Sequence, residues 1–286
     1  MSLPDKSKLK NWFNGDAAIA LAEQISGVYS DFDSERFVRL IARGIGTLEF
    51  KERVNKFARV LRETLPPDYL DALSILIDSL PEALANCDSP MDGRLQWPVG
   101  EFIALYGLEH FDDSFEAMEI LTQVFTAEFA VRPFVLKFPG RSVERFLSLT
   151  NHESPHVRRW CSEGLRVRLP WGIVLHDLAR EPSSILPVLE ALKDDPELYV
   201  RRSVANNLND LSKLHPDLVV DVCRSWLRDR SEERVWLAGH ALRTLIKEGH
   251  PKALELFGFK SVKDRVTVDL QVAPRSVLLG ESVRLT

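Results

Sequence analysis

Three stretches in the second half of the chain are versions of one unit: HVRRWCSEGLRVRL from His156, YVRRSVANNLNDLS from Tyr199 and RVWLAGHALRTLIK from Arg234. Arg158 and Arg159 superimpose on Arg201 and Arg202 at a spacing of 43, and Leu208 and Leu211 on Leu242 and Leu245 at a spacing of 34. Shorter apolar-periodic segments, SSILPVLEALKDD and DLVVDVCRSWLRD, lie between them. A pair of antiparallel helices recurring every 35–45 residues or so cannot bury its apolar stripe alone, so neighbouring pairs must stack. The pattern predicts an all-α fold, a HEAT-like-repeat α-solenoid whose helix pairs form a curved superhelix with a concave inner surface. A compact irregular bundle would not need arginines recurring at matching helical positions.

Upstream, DDSFEAMEILTQVFTAEFAVRPF places Phe115, Met118, Leu121, Val124, Phe125 and Phe129 at the three-and-four spacing of one amphipathic helix. Asp113 or Ser114 can cap its start, and Pro133 marks its end by disfavouring helix at Arg132. After Arg265 the character changes. Alternating apolar and polar residues predict two strands, Val266–Val272 and Ser276–Leu285, with turn formers at Pro274 and Gly280. Two strands do not form a stable sandwich unaided, so this tail is either the opening of a second β domain or a ribbon on the last helices.

The 286 residues contain no run of 18 apolar residues, and MSLPDKSKLKNWFNGDAA has no apolar core of signal-peptide length. Cys87, Cys161 and Cys223 lie far apart with no CxxC pair, which predicts free thiols in a reducing cytoplasm and no membrane partner. A net charge of −5 argues against a nucleic-acid binder, but it hides an asymmetry. Residues 61–130 set two cations against 14 carboxylates, a net −12, whereas residues 132–180 set nine cations against four, a net +5. A polyanion responds to the field of one face, not to the total.

One motif is a decoy. His152-Glu153-Ser154-Pro155-His156 fits the HExxH zinc-peptidase pattern, which needs helix through all five residues. Pro155 belongs at the first helical position with Ser154 as cap, leaving His152 in the loop, so no metal or other cofactor is expected. His215 and His250, each before a proline, read as loop residues.

More informative are Glu128, Glu163 and Asp210, acids where an inner helix would rather be neutral. Glu163 aligns with Asn206, and Asp210 lies one turn beyond on the same face. Arg159 stands four before Glu163, Arg166 three after it, and Arg132 one turn after Glu128. Two readings stand open: each acid bridges a nearby arginine, or the arginines grip phosphates while the acids face something cationic.

The stretches QWPVGEFIALYGL (96–108), TAEFAVRPFV (126–135), HVRRWCSEGLRVRLPWG (156–172), YVRRSVANNLNDLSKLHPDLV (199–219) and GHALRTLIKEGHPKALELFGF (239–259) closely resemble the AlkC-type DNA alkylation repair enzymes, which belong to the HEAT-like-repeat DNA glycosylases. The resemblance covers roughly residues 10–260. It implies a solenoid that holds a DNA duplex and excises positively charged alkylated bases, 3-methyladenine and also 3-methylcytosine. It places the family's acidic cluster on Glu128, Glu163 and Asp210. It further implies that residues 1–260 form the glycosylase domain and 261–286 the start of a truncated immunoglobulin-like β domain.

A cationic base departs neutral and needs no general acid, so carboxylates suffice to stabilise an oxocarbenium-like sugar and position water. The expected phosphate grip is Arg158, Arg159, Arg166, Arg168, Arg201 and Arg202, with Asn206 beside them and Trp171 stacking on a sugar or base or packed in the core. No lysine is placed as a Schiff-base nucleophile within the acidic cluster, which predicts a monofunctional enzyme without lyase activity. Expected partners are double-stranded DNA containing alkylated bases, bound by a monomer. The rival expectation is a non-catalytic scaffold, which would be better without acids that repel phosphate.

Overall fold

A computed structural model describes residues 9–85, 91–260, 271–274, 276–280, 282, 284 and 285. Sixteen α-helices run through the described residues: α1 (Gly15–Val28), α2 (Ser34–Ala42), α3 (Phe50–Thr64), α4 (Tyr69–Asp78), α5 (Trp97–Tyr106), α6 (Phe111–Leu121), α7 (Arg132–Lys137), α8 (Pro139–Ser148), α9 (Pro155–Glu163), α10 (His176–Arg180), α11 (Leu186–Leu192), α12 (Leu198–Ser212), α13 (Pro216–Trp226), α14 (Glu232–Ala241), α15 (Arg243–Lys247) and α16 (Pro251–Leu256). Seven of them carry proline in the first two positions, where its missing N–H costs no helical hydrogen bond. Others are capped by side chains: Asn14 accepts from the Ala17 amide, Asp33 from Arg36, Asp68 from Leu70 and Asp71, and Ser231 from Arg234.

The predicted repeats stack as an α-solenoid. α12 packs between α9 and α14 in one layer, and α11 and α13 lie against them in the other. Leu208, Leu211, Leu242 and Leu245, the aligned leucines, are all buried. Trp160 of α9 anchors the middle of the stack, its ring 4.8 Å from Phe146 of α8 and 5.4 Å from Phe115 of α6. None of these helices is long and apolar enough to cross a membrane.

Three expectations about local structure are corrected. The amphipathic helix expected through 112–132 ends at Leu121, and residues 122–131 form successive turns before Pro133 opens α7 as its second residue. The β-branched Thr122 and Thr126 weaken helix here, and the Thr122 hydroxyl takes up the Ala127 amide at 3.4 Å. Phe125 is still buried, because Gly93 lets the turn approach closely: a Cβ there would lie 2.0 Å from the Val124 carbonyl oxygen. α6 begins after His110, whose side chain makes no capping hydrogen bond, while Ser114 is inside the helix, buried and bonded to the Tyr69 hydroxyl at 2.8 Å. RVWLAGHALRTLIK is two helices, interrupted at Leu242.

In the tail, Val272–Ala273 pairs antiparallel with Arg284–Leu285. The expected strand Ser276–Leu285 is cut short, with a bend at Ser276 and a turn at Leu279–Gly280. Cys87 and most of the strand expected at 266–272 lie outside the described residues. Cys161 and Cys223 are buried free thiols; burial pushes both upward, Cys223 to about 12.

Candidate active site

The three acids meet, each from a different element. Glu163 ends α9 one turn after Arg159, and the chain turns back through Gly164 so that Arg166 folds over it. Asp210 lies on the α12 face that packs on α9, with Ser203 nearly two turns earlier. Glu128 reaches in from the turns between α6 and α7, so the unexpected break in that helix is what brings it to the site.

They do not stand unpaired. Glu128 is ion-paired with Arg159, whose other nitrogen lies 3.4 Å from Glu163 Oε1. Arg166 Nη1 donates to Glu163 Oε1 at 2.8 Å, and its Nη2 and Nε reach Asp210 Oδ2 at 2.8 and 2.9 Å. The Ser203 and Thr126 hydroxyls each donate to a glutamate, Glu163 and Glu128, at 2.5 Å. The result is an alternating chain, Glu128–Arg159–Glu163–Arg166–Asp210, whose acids are 7%, 5% and 4% exposed. Of the two readings left open by spacing, arginine bridging is what the geometry shows, and the picture of free carboxylates awaiting a cation is corrected. Two arginines stand against three carboxylates within the chain, and Lys213, 3.7 Å from Asp210 Oδ1, supplies a third cation at its more exposed end.

The electrostatics follow from burial and pairing together. Burial pushes the Glu163 carboxyl up, but Arg159 and Arg166 outweigh it and hold the group below the usual carboxylate range. Burial acts downward on Arg159 and Arg166, and the acids outweigh it, raising both. Behind them Arg132 is fully buried, its Nη2 on the Arg166 carbonyl at 2.9 Å and its Nε on the Ile173 carbonyl. Burial and then Arg166 push Arg132 down to about 10. A chain of this kind fixes its acids in place and favours the ionised form of Glu163. Removing any one member leaves a buried charge behind.

The expected DNA-contacting residues divide. Arg158 clasps Asp195 with two nitrogens, at 2.6 and 3.1 Å, and donates to the carbonyls of His152 and Glu153. Arg201 repeats the motif one unit later, donating to the carbonyls of Asp195 and Pro196 at 2.6 and 2.8 Å. Both guanidinium groups tie down the loop ahead of their own helix. Arg159 and Arg166 belong to the acid chain, and the Arg159 guanidinium also lies over the Tyr199 ring. Arg168 and Arg202 are exposed. Trp171 is 57% exposed rather than a core residue, with φ at +64°, a strained backbone for a bulky side chain. Two distant residues hold that turn: Lys51 of α3 donates to the Trp171 carbonyl, and Arg132 to that of Ile173.

Other residues at this face escaped the sequence reading. Asn206 Oδ1 accepts from His240 Nε2 and from Arg243 Nη2, both at 3.1 Å, which orients the amide and sets the imidazole tautomer. His240 stacks on half-exposed Trp236 at 5.1 Å and 7°. Its pKa is lowered by burial, then by Arg243 and Arg202. The spacing of 34 that aligns Leu208 with Leu242 also aligns Asn206 with His240, so the signal was present. Lys213 stands 3.7 Å from Asp210 Oδ1, an ion pair at the edge of the cluster. The HExxH decoy resolves by geometry: Pro155 starts α9, and His152 Nδ1 accepts the Ser154 amide upstream of it. Among the described residues no group of three His, Cys, Asp or Glu is arranged to hold a metal.

A stack of helix pairs with an acid–arginine chain at the junction of two repeats defines a HEAT-like-repeat α-solenoid built around a polar site. No family model matches the chain. It is 39% identical over 279 residues to the uncharacterized protein YhaZ of Bacillus subtilis, covering 97% of this chain and 76% of that one. Among solved structures it is similar to the alkylpurine DNA glycosylase AlkC of Pseudomonas fluorescens, described bound to DNA containing an abasic-site analogue. The TM-score is 0.82 and the identity 32%, over 98% of this chain and 75% of that one. The chain belongs to the AlkC family.

Proposed function

We propose that the protein is a monofunctional DNA glycosylase that hydrolyses the N-glycosidic bond of positively charged alkylated bases, 3-methyladenine and 3-methylcytosine, in duplex DNA. The observation that carries this reading is the meeting of Glu128, Glu163 and Asp210 in one arginine-held chain. The structural likeness to an alkylpurine DNA glycosylase supports it.

In this mechanism the lesion's own charge weakens the glycosidic bond, and the base leaves neutral. Asp210 and Glu163 stabilise the oxocarbenium-like sugar and position the attacking water, and Glu128 completes the acidic wall. Arg159 and Arg166 hold those acids rigidly, so little reorganisation is needed as charge develops. A carboxylate charge about 4 Å from the developing cation, at an effective dielectric near 20, is worth roughly 4 kcal/mol. Realised fully in the transition state, that is about a thousandfold in rate. Arg168, Arg202 and Trp171 face the duplex, with Asn206 beside them.

The protein acts as a monomer in the cytoplasm, on the nucleoid when bound. Residues 1–260 form the glycosylase domain and 261–286 a separate β segment. Lys213 is an ion-paired ammonium beside Asp210 rather than a Schiff-base nucleophile, so borohydride should trap no covalent adduct with abasic DNA. A trapped adduct that disappears in Lys213→Met would contradict the monofunctional assignment.

The experiment is direct: incubate the protein with methylated duplex DNA and assay the supernatant for free 3-methyladenine. Release is expected for cationic lesions and not for uracil, whose neutral, stable bond needs an acid that ionised carboxylates do not supply. Efficient uracil release would contradict the mechanism.

A second reading is favoured by one observation, the pairing of every acid with an arginine. In it the cluster is structural glue between repeats, and the protein is a non-catalytic scaffold that holds DNA or a protein partner. Base release from methylated DNA separates the two.

A further inference from the structure

Beside the acid–arginine chain, and separated from it by Arg132, lies a second concavity. A cleft of about 250 Å³ opens between α3, α5, the start of α7 and the turn at 171–173. Its floor is aromatic: Phe50 stands edge-on to Trp97 at 5.0 Å, and Trp97 stacks on Phe129 at 5.1 Å. The strained, exposed Trp171 forms one wall, 6.2 Å from Phe50. Val54 and Ala104 are also among its lining.

Among the described residues only two charged groups line this cleft, Lys51 and Glu101. Glu101 Oε1 accepts from the Asn55 amide at 2.9 Å, and its second oxygen has no partner among the described residues. Lys51 uses one of its three donors on the Trp171 carbonyl. One acceptor and one donor set in an apolar, aromatic lining are the features of a site for a small planar heterocycle. The volume, just below the usual range for drug-sized ligands, fits a single base. With no arginine among its described lining residues, it does not have the makings of a phosphate site.

The cleft and the acid chain share one wall. A Cβ at Gly172 would lie 3.1 Å from Arg132 Cδ and Nε, so the glycine lets the cleft rim close directly onto the arginine. The same guanidinium donates to the Ile173 carbonyl on the cleft side and to the Arg166 carbonyl on the acid side.

We infer that this cleft binds the methylated nucleobase after its release, so that base and abasic DNA are held in neighbouring compartments on either side of Arg132. The inference rests on the glycosylase reading. Hydrolysis breaks the bond from the sugar C1′ to the base nitrogen, water supplies hydroxyl to C1′, one proton goes to solvent, and the base departs as a neutral ring. A neutral methyladenine carries an exocyclic amine that Glu101 accepts from and ring nitrogens that Lys51 donates to. Trp171 covers one face.

The test titrates free 3-methyladenine into the full chain, alone and loaded with abasic-site duplex, by calorimetry. Saturable binding with a Kd of about 1 mM or tighter is expected in both cases. Ala104→Trp, which fills the cleft, and Glu101→Gln, which keeps its shape but removes its charge, should each weaken binding at least several-fold, with circular dichroism confirming the fold. No binding by the unaltered protein, or unchanged affinity in both variants, would overturn the inference. So would loss of binding on adding abasic DNA, because cleft and duplex would then compete. Base release is scored separately: release without free-base binding sinks the cleft alone, and binding without release sinks the glycosylase reading and with it the product-holding role, leaving only a heterocycle site.

Discussion

Two neighbouring parts of this molecule use the same kinds of residue in opposite ways. In the acid–arginine chain every carboxylate is buried and bridged by an arginine. A short distance away Arg168, Arg202 and Trp171 are exposed, and Trp236 half exposed. The first arrangement is internally complete and therefore rigid. The second leaves donors and rings available to a partner. A guanidinium in the sequence is equally compatible with either fate; what decides is whether a carboxylate or carbonyl lies within reach in the folded chain.

That contrast can be broken by substitution. Arg166→Met should be the most damaging change, because it leaves Glu163 and Asp210 buried without their shared cation. A loss of about 3–5 kcal/mol in denaturant unfolding is expected, and a loss below about 1 kcal/mol would show that water already screens the chain. Arg168→Ala combined with Arg202→Ala should do the reverse. Stability should change by no more than about 0.5 kcal/mol per site. The slope of log DNA affinity against log salt should fall by about two, one for each phosphate that no longer meets a guanidinium. An unchanged slope would remove both arginines from the interface.

The smallest effect concerns acid. Glu163 is held below its ordinary value of 4.5, so its contribution to stability is fully present above that pH and is lost as pH falls through the lower folded value. Unfolding midpoints of the wild type and Glu163→Gln, followed from pH 6 downward to about pH 3, should converge as acid removes the contribution that the variant already lacks. Curves that stay parallel would mean that Glu163 is not the group responsible.

Much of this architecture was legible in the sequence, because periodicity reports on burial. The aligned leucines and the prolines at helix starts mark the repeats, and Pro155 alone dismisses the zinc motif. What escaped depends on contacts between segments. Nothing in the spacing of Phe125 and Phe129 tells a continuous helix from a pair of turns, since both bury the same rings. Arg158 and Arg201 look like phosphate ligands in the sequence, and nothing there shows that the carbonyls five and six residues upstream fold back onto them. The intra-helix pairs of Glu163 with Arg159 and Arg166 follow from spacing; the bridge from Arg166 to Asp210, 44 residues away, does not. Lys51 is more distant still, 120 residues from the turn it holds.

The central claim is that the buried acids act on a damaged nucleotide and do not merely join two repeats. Single-turnover release of 3-methyladenine from methylated duplex, compared between the wild type and Asp210→Asn at matched DNA occupancy, tests it most directly. Release by the wild type and a drop of about a thousandfold in the variant, with duplex affinity retained, is the predicted result. Equal rates in the two proteins, or no release by either while both bind DNA, would contradict it.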